Sequence, residues 1–393
     1  PALAGERVRK AYQAASPRGV HIRILPRLEH ALLGADLGRF HDPDITDLLR
    51  RPPRKLDRDR MREWVRGRRV LITGAGGSIG SELSRQVAQL EPAALALLDA
   101  SELNLFNIHG EMAPRHGPIL LRPYMVDVRD GAALRRVFAE VRPEVVFHAA
   151  AYKHVPLMED FPEEALRTNV LGTLDLAQLA VEHHVEKFVN ISTDKAVKPC
   201  SVMGASKRLA EMACQALNGN GTHFLSVRFG NVLGSRGSVV PLFQEQIRRG
   251  GPLTLTHPDM RRYFMSIPEA VLLVFQAAHQ GRGGEVFVLD MGEPVRIRDL
   301  AENLIRLNGL EPGKDIEIVA TGMRPGEKLF EELLTAEEGV DSTSHDKIYV
   351  ARFKEPIPAG FLEKMAADCR AAGRDAKKIR ALFAAHIPTY HEE

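Results

Sequence analysis

The sequence predicts an α/β fold: a doubly wound parallel sheet followed by a smaller C-terminal α/β lobe. Three observations carry this. From Arg68 to Gly230, short apolar runs alternate with stretches of helical periodicity, the pattern of a parallel sheet covered on both faces. Within it, Thr73–Gly80 (TGAGGSIG) places glycines at 74, 77 and 80 after an apolar strand and before a helix. After Gly230 the rhythm loosens: Gly234, Gly237, Gly250, Gly251 and Pro252 mark loops between shorter, mixed elements.

In chain order, residues 1–25 read as a helix (Val8–Ala15), a turn at Ser16–Gly19 and a strand (Val20–Leu25), the tail of a preceding domain. Residues 26–66 are rich in proline and arginine, and Arg50–Arg69 holds ten basic and three acidic residues. Such a run suits an anion or membrane surface. The commoner reading is a solvated linker and the polar face of a short helix around Trp64. Strands are expected at Arg69–Gly74, Ala94–Asp99, Ile119–Val126, Val145–Ala150, from Phe188, and at Phe224–Gly230. Between them come helices at Ser81–Leu90, from Glu102, and at Gly131–Val141, Glu163–His183 and Gly204–Leu217. Further helices are expected at Val240–Arg249, Ile267–Gln280 and Ile297–Asn308, with strands at Pro252–Thr256, Glu285–Asp290 and Ile316–Ala320, a loop at Met323–Glu327 and a polar, mostly helical C-terminus. The domains expected are 1–66 as remnant plus linker, 67–232 as nucleotide-binding domain, and 233–393 as substrate lobe, some segments of which can return to the first sheet.

Composition narrows the class. Apolar content of 44% and charged content of 26% are ordinary for a globular protein. A net charge of +2 gives no ground for nucleic-acid binding. Cys200, Cys214 and Cys369 lack paired spacing, which indicates a reducing compartment and a structural role. No apolar run reaches membrane-spanning length and no signal peptide is visible. His183 and His184 are adjacent and do not share a helix face, so no metal pair is expected.

The glycine loop fits a dinucleotide. Gly74 permits the tight turn, Gly77 lets backbone approach a pyrophosphate, and Gly80 permits close helix–strand packing, as in Rossmann domains. Asp99 ends the next strand, where a carboxylate binds ribose hydroxyls and repels a 2′-phosphate. That favours NAD over NADP.

The glycine spacing, VDVRD (Val126–Asp130), HAAA (His148–Ala151), Asn169 and an S-T…K segment together resemble the extended short-chain dehydrogenase/reductase superfamily over roughly residues 68–345. More narrowly, HAAAYKHVPLMED, STDKAVKPCSVMGASKR, RFGNVLGSRGSVVPLF and GMRPGEKLFEEL resemble the nucleotide-sugar 4,6-dehydratases of bacterial polysaccharide and glycan biosynthesis. In large members, transmembrane helices and a degenerate nucleotide-binding domain precede the catalytic domain. Residues 1–60 resemble the end of that domain. The resemblance thus implies the soluble portion of a longer protein, anchored at the cytoplasmic side of the inner membrane and forming homo-oligomers.

The same resemblance implies residue roles. Gly74, Gly76, Gly77, Ser78, Ile79 and Asp99 would hold NAD, with Asp127 and Val128 at the adenine. His148, Ala149, Ala150 and Ala151 would line its pyrophosphate and nicotinamide-ribose side, with Lys153 and Asn169 also at the cofactor, and Lys207 would bind the nicotinamide ribose. Asn231, Arg236, Val239, Arg262, Arg324 and Glu327 would hold the nucleotide diphosphate and uridine of UDP-N-acetylglucosamine, with Lys153 and His257 as further contacts. His257 is balanced between that role and an ordinary loop position.

The chemistry implied is redox-neutral: oxidation at C4, proton removal at C5, loss of the C6 hydroxyl as water, and reduction at C6. Lys195 is assigned as base at C5 and Asp194 as acid at C6. The first role requires a depressed pKa and the second a raised one, and a mutual ion pair opposes both. The bland alternative for the pair is a surface salt bridge in a loop. Met203 stands where the superfamily has tyrosine, and a thioether takes no proton. The C4 hydroxyl is therefore left to Asp194, directly or through water, with Thr193 as hydrogen-bond partner and Lys153 and Lys207 as other candidates. In the subgroup, this methionine accompanies retention at C5. Two competing functions are a nucleotide-sugar C4 or C5 epimerase and a non-catalytic NAD-binding module.

Overall fold

The computed structural model describes residues 58–113, 119–334, 339–343, 345–352 and 357–392, and positions 11, 23 and 45. The expected Val8–Ala15 helix, the Val20–Leu25 strand and most of the 26–57 linker lie outside the described residues. The chain forms two compact units, the larger from 57–230, 267–292 and 324–393, the smaller including 231–266 and 293–323.

The larger unit opens with α1 (Arg58–Val65), β1 (Arg69–Thr73), α2 (Ser78–Gln89), β2 (Ala94–Asp99), α3 (Glu102–Met112) and β3 (Leu120–Met125). Next come α4 (Gly131–Val141), β4 (Val145–His148), α5 (Val155–Asp160), α6 (Pro162–Ala165), a π-turn (Leu166–Leu171), α7 (Gly172–Glu182) and β5 (Lys187–Ile191). A 3₁₀ turn (Asp194–Ala196), α8 (Val202–Leu217) and β6 (His223–Arg228) follow. The smaller unit holds β7 (Asn231–Val232), α9 (Val239–Arg248), β8 (Leu253–Leu255), β9 (Arg261–Arg262) and β10 (Phe264–Met265). The chain then gives α10 (Ile267–Gln280) and β11 (Val286–Leu289) to the larger unit, β12 (Val295–Arg296), α11 (Ile297–Leu307) and β13 (Ile318–Ala320) to the smaller, and β14 (Gly339–Ser342), β15 (Ile348–Arg352), α12 (Phe361–Ala372) and α13 (Ala376–His386) to the larger.

Nine strands form one sheet in the order β14-β15-β11-β6-β5-β4-β1-β2-β3. It is parallel from β11 to β3; β15 runs antiparallel to β11, and β14 to β15. The order 3-2-1-4-5-6 within it is the doubly wound arrangement expected, and it reverses between β1 and β4, where such sheets bind ligands beyond the strand ends. Every residue of β5, and all of β1 after Arg69, is buried, as a sheet covered on both faces requires. Phe147 on β4 meets Phe275 of α10 edge-on at 5.1 Å and Trp64 of α1 at 6.4 Å.

Local chemistry sets the helix starts. Ser101, Asp130 and Ser201 cap α3, α4 and α8 by accepting from the amides of Asn104, Ala133 and Gly204. The Ser201 cap starts α8 two residues before the expected Gly204. The single helix expected over Glu163–His183 is instead α6, a π-turn and α7, and α5 precedes it. The wide turn lies where Asn169 makes three hydrogen bonds outside its own helix. Of the stretch 233–393 expected as the lobe, 267–292 and 324–393 return to the large sheet, because α10 covers it and β11 and β15 extend it. Strands β14 and β15 were not anticipated in the polar C-terminus.

The smaller unit is built from two-stranded pairs: β7 with β10, β9 with β12, and β8 with β13. Described arginines of the basic run pair with carboxylates of the larger unit: Arg62 and Arg66 with Glu91, Arg68 with Glu186, and Arg69 with Glu144. The first part of the run, residues 50–57, lies outside the described residues. Among the described residues no helix is long and apolar enough to cross a membrane.

Two buried groups link this core to pH. His148 is fully buried between Thr73 (Nδ1–Oγ1 2.7 Å) and Thr173 (Nε2–Oγ1 2.8 Å), and burial, aided by the Lys207 charge, pushes its pKa down from 6.5 to about 3. Burial alone would raise the Glu211 carboxyl, but Arg228 overrides it and holds the group at about 2, from 4.5. In both cases the unfolded chain binds the proton more readily, so stability present at neutral pH falls as pH drops: from 6.5 toward 3 for His148, from 4.5 toward 2 for Glu211. Each group contributes a slope of about 1.4 kcal/mol per pH unit inside its window. Urea unfolding should show stability declining below pH 6.5, and His148→Gln should flatten the decline above pH 4.5 while lowering the plateau.

Candidate active site

The carboxyl end of β5 carries Asp194 and Lys195. Ser192 N donates to Val227 O (2.8 Å) and Asp194 N to Phe229 O (3.1 Å), which extends the strand pairing with β6 up to the turn. Thr193 Oγ1 accepts from Lys195 N (3.4 Å) and donates to Asp194 Oδ1 (2.9 Å). The 3₁₀ turn thereby directs Asp194 inward, where it is 1% exposed. Lys195 Nζ donates to Asp194 Oδ1 (3.0 Å) and lies 3.4 Å from Glu331 Oε1. Asp194 Oδ2 is buried with no hydrogen-bond partner among the described residues. The alternative of a surface salt bridge is thus corrected, because a surface pair leaves its carboxylate in water.

Helix α8 packs directly on that turn. A Cβ at Gly204 would stand 2.2 Å from the Lys195 carbonyl oxygen, so only glycine permits this approach. Met203 is 3% exposed and belongs to the apolar core with Val155, Met158, Leu166 and Val170. Ser206 Oγ donates to Met203 O (2.7 Å) and accepts from Asn169 Nδ2 (2.9 Å). Asn169 in turn holds both backbone groups of Tyr152, at 2.8 and 2.9 Å. Asn169 thus fixes the loop between Ala151 and Lys153 against the helix bearing Met203 and Lys207. Burial pushes the Lys207 ammonium down from 10.5 to about 8, against the opposing pull of Glu211.

The glycine loop has the geometry of an anion cradle. Gly74 sits at φ +64°, and a Cβ there would lie 2.7 Å from Ala150 N; at Gly80 it would lie 1.9 Å from Gly74 O. Beyond the loop, α2 starts with no side-chain cap and no acidic residue in its first turn, leaving the positive helix end to an external anion. Asp99, 8% exposed, accepts from Gly76 N (2.9 Å) and Ser101 N (2.8 Å), and retains lone pairs for ribose hydroxyls. Asp127 is held below the usual carboxylate range by its hydrogen bonds with Arg129, and Val128 is buried beside Gly172.

The residues expected at the sugar nucleotide divide between the units. Asn231, Arg236, Val239, His257 and Arg262 belong to the smaller, Arg324 and Glu327 to the larger. Arg262 is buried and donates to Arg261 O (2.8 Å); Arg236 and Arg324 are exposed. His257 Nδ1 accepts from Asp259 N (3.1 Å), a loop contact. Glu327 closes a turn with Arg324.

A family model described as "Polysaccharide biosynthesis protein" matches residues 70–353. The chain belongs to that family. It is 49% identical over 353 residues to the capsular polysaccharide biosynthesis protein CapD of Staphylococcus aureus, covering 89% of this chain and 59% of that relative's length. Among solved structures, Pen from Bacillus thuringiensis matches with a TM-score of 0.68 and 33% identity, over 74% of this chain and 89% of that one. The UDP-glucose 4-epimerase of Thermus thermophilus, solved with NAD, matches at 0.55 and 26%, over 66% and 88%.

Two carboxylates outside the expected set lie against the Thr193–Lys207 segment in this family member. Glu331 is one. Glu159 on α5 is another: its Oε1 accepts from Val202 N (2.7 Å) at the start of α8, and its Oε2 pairs with Arg380 of α13 (2.8 Å). His391 N donates to Pro199 O (3.2 Å), so the C-terminal helices brace the segment from Lys195 to α8. Both lie inside stretches that carry the family resemblance, Glu331 in GMRPGEKLFEEL and Glu159 in HAAAYKHVPLMED, but neither has a local spacing that marks it. Gly204→Ala should cost about 1–3 kcal/mol in urea unfolding by forcing α8 off the Lys195 carbonyl. Gly110→Ala, in open space on α3, should instead be neutral or gain up to about 1 kcal/mol.

Proposed function

We propose that this chain is a short-chain dehydrogenase-type enzyme that converts UDP-N-acetylglucosamine to a UDP-4-keto-6-deoxy sugar for bacterial surface-polysaccharide synthesis. The observation that carries the reading is the Thr193–Asp194–Lys195 turn, with Asp194 buried and bonded to both neighbours, together with methionine at the tyrosine position, Met203. A C4 epimerase needs one base at the sugar. A dehydratase also needs an acid for a departing hydroxyl, and the turn supplies both groups.

The loop residues Gly74, Gly76, Gly77, Ser78 and Ile79 would hold the pyrophosphate of NAD, Asp99 its adenosine ribose, and Lys207 its second ribose. The uncapped α2 terminus and the glycine-only approaches support that fit. What the bound dinucleotide supplies is a hydride acceptor for C4 and later a donor for C6. Thr193 orients the C4 hydroxyl and Asp194 takes its proton, since Met203 has none to exchange. Lys195 removes the C5 proton, made acidic by the C4 ketone. Asp194 returns its proton to the C6 hydroxyl, which leaves as water. Arg236, Arg262 and Arg324 suit the diphosphate, because guanidinium forks match phosphate oxygens. Retention at C5 follows if Lys195 returns the proton to the face it came from.

An epimerase reading is favoured by likeness to UDP-glucose 4-epimerases, among them that of Rickettsia canadensis, 36% identical over 68% of this chain, and the Thermus enzyme. Incubation with UDP-N-acetylglucosamine separates the two: dehydration gives a product lighter by one water, epimerisation a product of unchanged mass. Lys195→Ala and Asp194→Asn should each lower kcat by at least about 100-fold. A chain that binds dinucleotide but never alters the sugar would overturn the proposal.

A further inference from the structure

We infer that Glu331 is the positioning residue of the Lys195 base, a third member that orients the amine and stabilises the ammonium it becomes. The inference rests on the reaction proposed above.

Lys195 Nζ lies between two carboxylates from distant parts of the chain, Asp194 Oδ1 at 3.0 Å and Glu331 Oε1 at 3.4 Å. Their side chains are 1% and 3% exposed. Burying a carboxylate is costly unless a cation or donors compensate it. Anchoring of the 326–331 segment does not account for that cost, because three other contacts already dock it on the catalytic turn. Lys328 Nζ donates to Val197 O (3.0 Å) and Lys198 O (2.7 Å), and Cys200 Sγ lies 3.6 Å from Gly326 O. Gly326, at φ +73°, packs so closely that a Cβ would sit 2.9 Å from Ser201 Cβ. Glu331 is therefore delivered to Lys195 by a segment held independently of it.

The second carboxylate eases the acid's side of the conflict within the pair, while it strengthens the hold of the amine on the proton it is to take. An aspartate that is the sole counter-ion of a lysine has no proton to give a leaving group. With Glu331 present, Lys195 keeps an anionic neighbour through the cycle and Asp194 is released for proton transfer. At the elimination step the C5 proton moves to Lys195 Nζ and the C5–H electron pair becomes the C5–C6 double bond. The C6–O bond breaks, and Asp194 gives its proton to the departing oxygen, which leaves as water. The pair passes from amine and acid to ammonium and carboxylate, while Glu331 stays anionic beside the new positive charge. A base oriented by a third group is the general arrangement for activated side chains in catalysis.

The test compares Glu331→Gln and Glu331→Asp with the parent chain, using UDP-N-acetylglucosamine bearing hydrogen or deuterium at C5. Glu331→Gln should lower kcat roughly 100-fold with KM unchanged. It should also raise the C5 deuterium isotope effect on kcat, because removal of that proton becomes slower. Glu331→Asp should recover much of the rate. A purely structural role would lower rate or affinity without moving the isotope effect. An unchanged kcat, a fall with an unchanged isotope effect, or a rise in KM alone each overturns the inference. If Glu331→Gln does not fold, the isotope effect of Glu331→Asp decides alone, and a value equal to the parent's overturns it. A parent chain that releases no dehydrated sugar sinks the proposed reaction and this inference together; a normal parent with an indifferent Glu331→Gln sinks only the inference.

Discussion

One buried carboxylate, Glu211 on α8, holds the ends of two central strands to the helix beside the site. Ser192 at the tip of β5 donates to its Oε1 (2.5 Å), Arg228 at the end of β6 donates through Nε and Nη2 (2.8 Å each), and Arg208 lies 3.1 Å away on the same helix. Arg228 is the largest fully buried side chain described. An ion pair at this depth is a weak source of net stability, since desolvating both charges offsets most of the attraction. Its value lies in direction. Leaving either charge unpaired costs about 3–5 kcal/mol, so β5, β6 and α8 have one mutual arrangement. Thr193 and Asp194 follow Ser192 directly, and Lys207 precedes Glu211 by one helical turn. The Thr193–Ala196 turn and Lys207 thus inherit their positions from this charge cluster.

The same cluster shows why the fold was legible and the site only partly so. Buried strands such as β1 and β5 announce themselves as apolar runs, and Ile267–Gln280 and Gly131–Val141 carry a helical period over their whole length. Where the expectation slipped, tertiary contact outweighed local pattern. The π-turn at Leu166–Leu171 lies inside an unbroken helical period, and its widening coincides with the bonds of Asn169 to Tyr152 and Ser206. The strand Gly339–Ser342 has no apolar alternation; it forms by pairing with β15 at the sheet edge. Asp194 and Lys195 could be read because they are adjacent. Glu331 and Glu159 could not, since a carboxylate that reaches a site from a distant segment leaves no local period or spacing.

Met203 gains a physical explanation from its surroundings. A tyrosine there would bring a hydroxyl that needs a hydrogen-bond partner when buried. The thioether needs none, and it fills an apolar core shared with α5 and the π-turn. The helix that carries proton chemistry elsewhere in the superfamily here offers packing and one buried lysine. Polar capacity has gathered instead at the end of β5, where Thr193, Asp194, Lys195 and Glu331 lie within one connected set of contacts. For the proposed dehydration this is a sensible division. Three of the proton movements occur at C4, C5 and C6, on one edge of the sugar ring. A compact set of two carboxylates and one amine can exchange protons among those positions without rebuilding the site between steps. Rigidity then becomes part of the chemistry: the Gly204 approach, the Glu159–Arg380 brace and the Lys328 anchors all act to keep that set in register.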